Sequence, residues 1–249
     1  MLEINKIYND DCLIRMKDID DGSIDMILCD LPYGKTANDW DVIIDIPSLW
    51  GHYKRVIKDN GAIVLFGDEP FSSRLRLSNE RMYRYDWKWK KSYFTGFLNA
   101  NKMPLKANED IMVYYKKLPT YNPQKRFGFS NYNKKNKGRE ISSNYQPGTK
   151  VYDSEVKDGS RMPINIIEGI GKVNHGDHPT QKPVKLMEYL IKTYTNEGDL
   201  VLDNCIGSGT TAVACVNLNR NFIGIEMDET YYKVACDRVA EAKKNHEVE

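Results

Sequence analysis

Nothing in the chain marks it for export or for a membrane. No stretch of its 249 residues approaches the ~18 consecutive apolar residues of a membrane span. The opening Met1-Leu2-Glu3-Ile4-Asn5-Lys6 lacks the apolar region of a signal peptide. Cysteine is sparse: Cys12, Cys29, Cys205, Cys215 and Cys236 are scattered, and no two form a C-x-x-C pair. They read as reduced core residues of a cytosolic protein. Net charge is nearly absent too, with 36 basic residues against 35 acidic. Composition therefore neither demands nor excludes a nucleic-acid partner, and the local distribution of charge has to decide. No internal repeat is present. The expectation is a soluble, cytoplasmic protein with no membrane partner. The length suffices for one substantial α/β core and is short for two full domains, so residues 1–249 read as a single domain carrying an insertion.

What is present is an alternation of buried-strand runs with helical periodicity. Ile24–Cys29 and Ala62–Phe66 are apolar runs of strand length, and Met82–Trp89 and Asp110–Tyr115 supply further strands. Leu49, Tyr53, Val56 and Ile57 recur at helical spacing, and Asn60-Gly61 is expected to end that helix. Asp10 and Asp11 can cap a short helix reaching about Lys17. The pattern fades over Lys116–Lys172, where Asn, Gly, Ser, Tyr and Lys dominate. It returns with helix Val184–Thr195, strand Leu200–Asn204, helix Thr210–Leu218, strand Asn221–Glu226 and a helix from Glu229. Between Lys116 and Lys150 nine basic residues face the single acid Glu140, so near-neutrality overall hides a basic segment.

Two stretches carry chemistry. Asp30-Leu31-Pro32-Tyr33 follows the first buried strand, at the edge where open α/β sheets place their sites. It combines an acceptor carboxylate, a backbone carbonyl fixed by a following proline, and an aromatic face, a set suited to an amino group on a flat ring. Far along the chain, Asp203-Asn204-Cys205-Ile206-Gly207-Ser208-Gly209-Thr210-Thr211 reads as a strand end, a glycine loop and a helix start. Such a loop lets backbone approach a ligand closely and aims N–H groups at its negative end. Glu226 ends the next strand, about twenty residues on, where an acid can accept from both hydroxyls of a ribose. His175 and His178 have no acid or cysteine to complete a metal set, so no metal is expected.

These residues, together with His178-Pro179-Thr180-Gln181-Lys182-Pro183, resemble the motifs of S-adenosylmethionine-dependent amino-methylating DNA methyltransferases in the β-type order. Leu31 stands where the family's D/N/S-P-P-Y motif has its first proline, and Asn204 and Cys205 stand where its cofactor loop has Pro and Phe. The likeness covers about Tyr8–Lys116 and His175–Val239. It implies a doubly wound, mostly parallel seven-stranded α/β sheet, with residues 117–172 inserted for target recognition. It further implies methyl transfer from S-adenosylmethionine to adenine N6 of a base flipped out of double-stranded DNA, in a restriction-modification setting. Asp30, Leu31, Pro32 and Tyr33 would be catalytic. Asp11, Cys12, Asp30, His178, Thr180, Lys182, Asp203, Gly207, Ser208, Gly209, Thr210, Glu226 and Met227 would hold the cofactor, with His178 and Lys182 at its carboxylate end. Asp as the first motif residue resembles adenine enzymes more than cytosine ones. An N4-cytosine enzyme, an amine methyltransferase acting on RNA or protein, and a silent DNA-binding module are the alternatives; a homodimer is left open.

Overall fold

The computed structural model describes residues 2–35, 41–134, 154–171 and 181–246, which form two compact units. The larger comprises residues up to Asn122 and from Asn165 onward; the smaller is Pro123–Ile164.

The larger unit is built on one sheet. Its strands are β1 (Lys6–Asn9), β2 (Ile24–Cys29), β3 (Ile57–Gly67), β4 (Tyr83–Thr95), β5 (Lys106–Tyr114), β8 (Ile166–Ile167), β9 (Leu200–Asp203) and β10 (Asn221–Glu226). They lie in the order β1-β10-β9-β2-β3-β5-β4-β8. β5 alone runs against its neighbours; the other pairings are parallel. The seven expected strands are joined by the two-residue β8 on the outer edge of β4.

Helices cover both faces because β2 is apolar on both. Met26 and Leu28 point into a core shared with α4 (Val184–Tyr194), α5 (Thr210–Asn217) and α6 (Glu229–His246). Ile27 and Cys29 point the other way, toward α1 (Cys12–Arg15), α2 (Ile46–Val56) and α3 (Phe71–Ser78). Period-2 alternation on a strand buried on both sides produces this double layer. The chain leaves β2 through α2 toward β3, and leaves β9 through α5 in the opposite direction toward β10. The adjacent C-terminal ends of β2 and β9 therefore form the switch-point crevice where open α/β sheets bind ligands.

Asn60-Gly61 does not end a helix. Strand β3 already begins at Ile57, and its register against β2 shifts between Ile24 and Met26. Gly61 lies so close to the Asp25 carbonyl and the Ile57 side chain that a Cβ would stand 2.7–2.8 Å from them. The glycine marks a bulge under close backbone approach. Helix α3 had no counterpart in the sequence reading, since its charged and serine-rich segment has weak apolar periodicity.

In the smaller unit β6 (Tyr132–Lys134) and β7 (Ser154–Val156) pair antiparallel, and Arg126 bridges Arg161. Both guanidinium groups lie over the Phe129 ring, at 5.1 and 5.5 Å.

Candidate active site

Asp30 and Asp203 stand at the ends of β2 and β9 and open into one cavity of about 640 Å³, within the roughly 300–1,000 Å³ usual for small-ligand sites. The Asp30-Leu31-Pro32-Tyr33 turn forms one wall. Asp11, Cys12, Cys205, Gly207, Ser208, Thr210, Glu226 and Met227 form another, and Trp89, Lys91, Tyr93 and Thr95 of β4 form a third.

The Asp30–Tyr33 turn is locked from several directions. The Tyr33 hydroxyl donates to Asp30 Oδ1 at 2.5 Å, and the Lys182 ammonium donates to Oδ2 at 2.5 Å. Phe71 supports the Tyr33 ring at 5.2 Å. Burial, with Asp30 beside it, pushes the Tyr33 hydroxyl well above its ordinary pKa, so it remains a donor. The backbone N–H groups of Tyr33, Gly34 and Lys35 all donate to the Asp41 carboxylate at 2.8 Å. The Leu31 side chain is buried in the core, so leucine in place of proline contributes to the packing beneath the turn.

Behind Asp30 runs a buried line of alternating charge. Lys182 lies 3.2 Å from Glu109, and Glu109 pairs with Lys91. All three are nearly excluded from solvent. Burial disfavours the Lys182 charge, but Asp30 and Glu109 reverse that and hold its pKa above the ordinary lysine value. Burial likewise pushes Glu109 upward, and Lys182 and Lys91 pull it net below the usual carboxylate range. Lys182, expected at the cofactor's carboxylate end, lines the cavity and is placed against the Asp30 carboxylate. Glu109, Lys91 and Asp41 escaped the sequence reading. An acid and a lysine on the apolar faces of two paired strands were the available signal, since Trp89 and Glu109 sit directly opposite each other.

The glycine loop is tied to the next strand and the last helix. Glu226 accepts from the Gly207 N–H at 2.8 Å and from the Asp228 N–H at 2.9 Å. Burial raises its pKa and these two donors oppose the rise. Each oxygen keeps a lone pair for a further donor. Asp203 is buried; its Oδ2 accepts from the Thr211 hydroxyl at 2.6 Å and its Oδ1 from the Cys205 N–H at 3.1 Å. Burial pushes its pKa up to about 7. Arg238 donates to the Ser208 carbonyl and hydroxyl, which ties this cavity-lining serine to the last helix. Asp11 is first a helix cap, accepting from Leu13 N and Ile14 N at 2.7 and 3.1 Å, while also lining the cavity. Thr210 and Cys12 are buried at the cavity wall, and Met227 is exposed at its rim.

Gly209, expected at the cofactor, is placed against the last helix. Its φ of +83° suits glycine, but a Cβ there would meet Ala235 of α6 at 3.0 Å, and it does not line the cavity. This glycine serves helix packing, and Gly207, at φ +54°, is the one that faces the site. Asn204 accepts from the buried Tyr53 hydroxyl at 2.5 Å, and Cys205 supplies a thiol where the family has a ring. His178 and Thr180 lie outside the described residues. Among those described, no cluster of His, Cys, Asp and Glu has the makings of a metal site, and no helix is long and apolar enough to cross a membrane.

An acid on a prolyl turn, facing a glycine loop across the switch point, defines a group-transfer site of the methyltransferase type. The DNA methylase family of N6 and N4 enzymes matches residues 24–237, and the chain belongs to it. It is similar to the type II methyltransferase M.HindIII of Haemophilus influenzae, 25% identical over 309 aligned positions and 97% of each chain. M.HpaI of Haemophilus parainfluenzae is 29% identical, over 90% of this chain and 70% of its own. Among solved structures, M1.HpyAVI in complex with SAM superposes with a TM-score of 0.64 at 25% identity, covering 94% of this chain and 98% of that one. The cytosine-N4-specific PvuII methyltransferase shares the fold, with a TM-score of 0.67 at 15% identity over 97% and 92% of the two chains. The protein is accordingly an S-adenosylmethionine-dependent DNA methyltransferase of the amino-methylating class.

Proposed function

We propose that this enzyme methylates adenine N6 within a short duplex sequence, in the cytoplasm, as the modification half of a type II restriction-modification pair. The observation that carries the reading is the Asp30 carboxylate, held at both oxygens and sharing a cavity with the Gly207–Thr211 loop and Glu226.

The residues present fit the cofactor. Glu226 has free lone pairs for ribose hydroxyls, Asp203 offers a carboxylate to an ammonium group, and Gly207, at φ +54°, presents backbone to the cavity. When bound, S-adenosylmethionine supplies a methyl group already activated on a sulfonium. The chain's own work is to position and polarise the incoming amine. An exocyclic base amine has its lone pair delocalised into the ring. Accepting its two hydrogens at Asp30 and at the Leu31 carbonyl draws the nitrogen toward tetrahedral geometry and localises that pair. As the N–C bond forms, Asp30 is the acceptor beside the proton that the nitrogen must shed. Tyr33 offers its ring to the extruded base while its hydroxyl steadies the acid.

A base stacked inside a duplex cannot reach this cavity and has to be flipped, at a cost of a few kcal/mol. The basic segment after Lys116 provides phosphate contacts that offset this cost, and residues 117–172 are proposed to read the sequence. Trp87 and Trp89, by contrast, are buried in the core, and Tyr121 packs on Tyr194 at 6.3 Å, so none of these three is assigned to DNA. Incubation with cofactor and mixed-sequence duplex, followed by mass spectrometry of the nucleosides, tests the reading. N6-methyladenine supports it; N4-methylcytosine alone overturns the base assignment; methylation confined to RNA or protein overturns the substrate.

A further inference from the structure

We infer that the tip of the β4–β5 hairpin is a wedge that enters the DNA stack and occupies the space vacated by the flipped base. The inference rests on the duplex-DNA reading above and assigns a second contact to that substrate.

The hairpin is continuous with the active site. Along β4, residues 89, 91, 93 and 95 share one face by the period of a strand, and all four line the cavity. Immediately beyond, Gly96 turns at φ +90° with open space around it, and Phe97–Asn99 form a single 3-10 turn. The side chains presented there are large and apolar: Phe94 is 51% exposed, Phe97 66%, Met103 57%, and Leu98 is fully exposed. Leu98 lies three residues past Thr95, hence at most about 11 Å of chain from the cavity lip.

Four exposed apolar side chains within ten residues of one hairpin end are an unfavourable solvent surface, and such patches mark interaction sites. The charge around them selects the partner. From Lys90 to Lys106 there are four lysines and no acid. Lys91 and Lys106 are engaged by Glu109 and Asp68; Lys90, 3.3 Å from the exposed Glu168, and Lys102 are solvent-exposed on the hairpin's flanks. Apolar residues at a tip with cations beside them match a base stack bordered by phosphates. Leucine and phenylalanine are side-chain types that proteins insert between base steps. The wedge and the cavity therefore act on the same nucleotide, one filling the gap and the other receiving the base.

The test is a Phe97→Ala/Leu98→Ala variant assayed on two duplexes carrying the sequence that the wild type methylates, one matched and one with a mismatch opposite the target. On the matched duplex kcat/KM is expected to fall at least tenfold. On the mismatched duplex, where extrusion is easy, the variant should come within threefold of wild type. Cofactor affinity by calorimetry should stay within twofold, because neither residue lines the cavity. Unchanged activity on both duplexes overturns the wedge, as does an equal loss on both, which would make the tip a mere surface contact. A shift in sedimentation between wild type and variant, with the matched-duplex loss tracking it, overturns the wedge in favour of a self-association face. Wild-type enzyme that leaves all DNA unmethylated defeats the underlying substrate reading, and the wedge with it; this outcome is distinguishable because it is seen without any variant.

Discussion

Asp30, the proposed acceptor, has two partners already in place, and each has a different office. Tyr33 fixes one oxygen, and Lys182 fixes the other while itself shared with Glu109. Replacing Asp30 by alanine should lower turnover by orders of magnitude while cofactor affinity stays within several-fold, as expected for an acceptor that acts on the amine. Near-wild-type methylation would remove Asp30 from the role. Glu109 is a different kind of residue: it lines the cavity, and it neutralises two buried lysines. Glu109→Ala should destabilise the fold by about 3–5 kcal/mol, because removing one member of a buried ionic group leaves charge uncompensated. Glu69→Ala breaks an ion pair with Arg76 that is half open to solvent, and should cost under about 1 kcal/mol. Paired urea titrations compare the two, and equal losses would refute the buried-line interpretation.

The glycine loop shows how one element serves folding and binding with adjacent residues. Gly209→Ala forces a Cβ to 3.0–3.2 Å from the Ala235 backbone at a φ that L-residues avoid; the strain of about 1–3 kcal/mol should appear as a lowered Tm. Cofactor affinity measured well below that Tm should change little, the reverse of what a ligand-facing glycine would do. Asp203, at the loop's other end, ties stability to pH. Its carboxyl has a folded pKa of about 7 against roughly 3.9 in an unfolded chain. Between those values the folded state binds a proton that the unfolded state does not, so this group's contribution falls as pH rises from about 4 to about 7 and then levels off. The drop is on the order of 4 kcal/mol. Asp203→Asn keeps an oxygen for the Cys205 N–H and an NH2 for Thr211, and it should abolish that slope in a pH series of chemical denaturation. An unaltered slope would place the titration elsewhere. Elements of this half were legible because β9, α5 and β10 are separated by clear changes of period. The start of β3 was not, since Asn60-Gly61 carries the same residues whether it closes a helix or sits in a bulge, and only the Asp25 carbonyl across the sheet decides. The extension of β4 to Thr95 was also hidden: its pairing partners from Lys106 to Asn108 lie across the hairpin.

At the scale of the whole molecule, the sequence supplied the pieces of the site and topology assembled them. Asp30 and Asp203 are 173 positions apart, yet the switch between β2 and β9 makes them neighbours. Residues with their own local motif, such as Asp30 and Glu226, could be singled out in advance, and the fold brings both to one cavity. Lys182 could be found but not placed, and Asp41, Lys91 and Glu109 owe their roles to contacts that no local pattern announces. Charge is divided in the same uneven way. The chain is nearly neutral, but Lys116–Lys150 carries nine basic residues and one acid. Of these, Lys135, Lys137, Arg139 and Lys150 lie outside the described residues, and Lys134, Lys135 and Lys137 form the densest basic run. If this segment grips phosphates, replacing the three lysines by glutamine should weaken binding to every duplex alike. Each lost phosphate contact should also flatten the plot of log affinity against log salt by about 0.9. The measurement is fluorescence anisotropy with one cognate and one unrelated duplex across a salt series. A parallel loss on both duplexes with a shallower slope fits backbone contacts. A loss confined to the cognate duplex would make the run a reader of bases, and an unchanged slope would leave it a solvated surface.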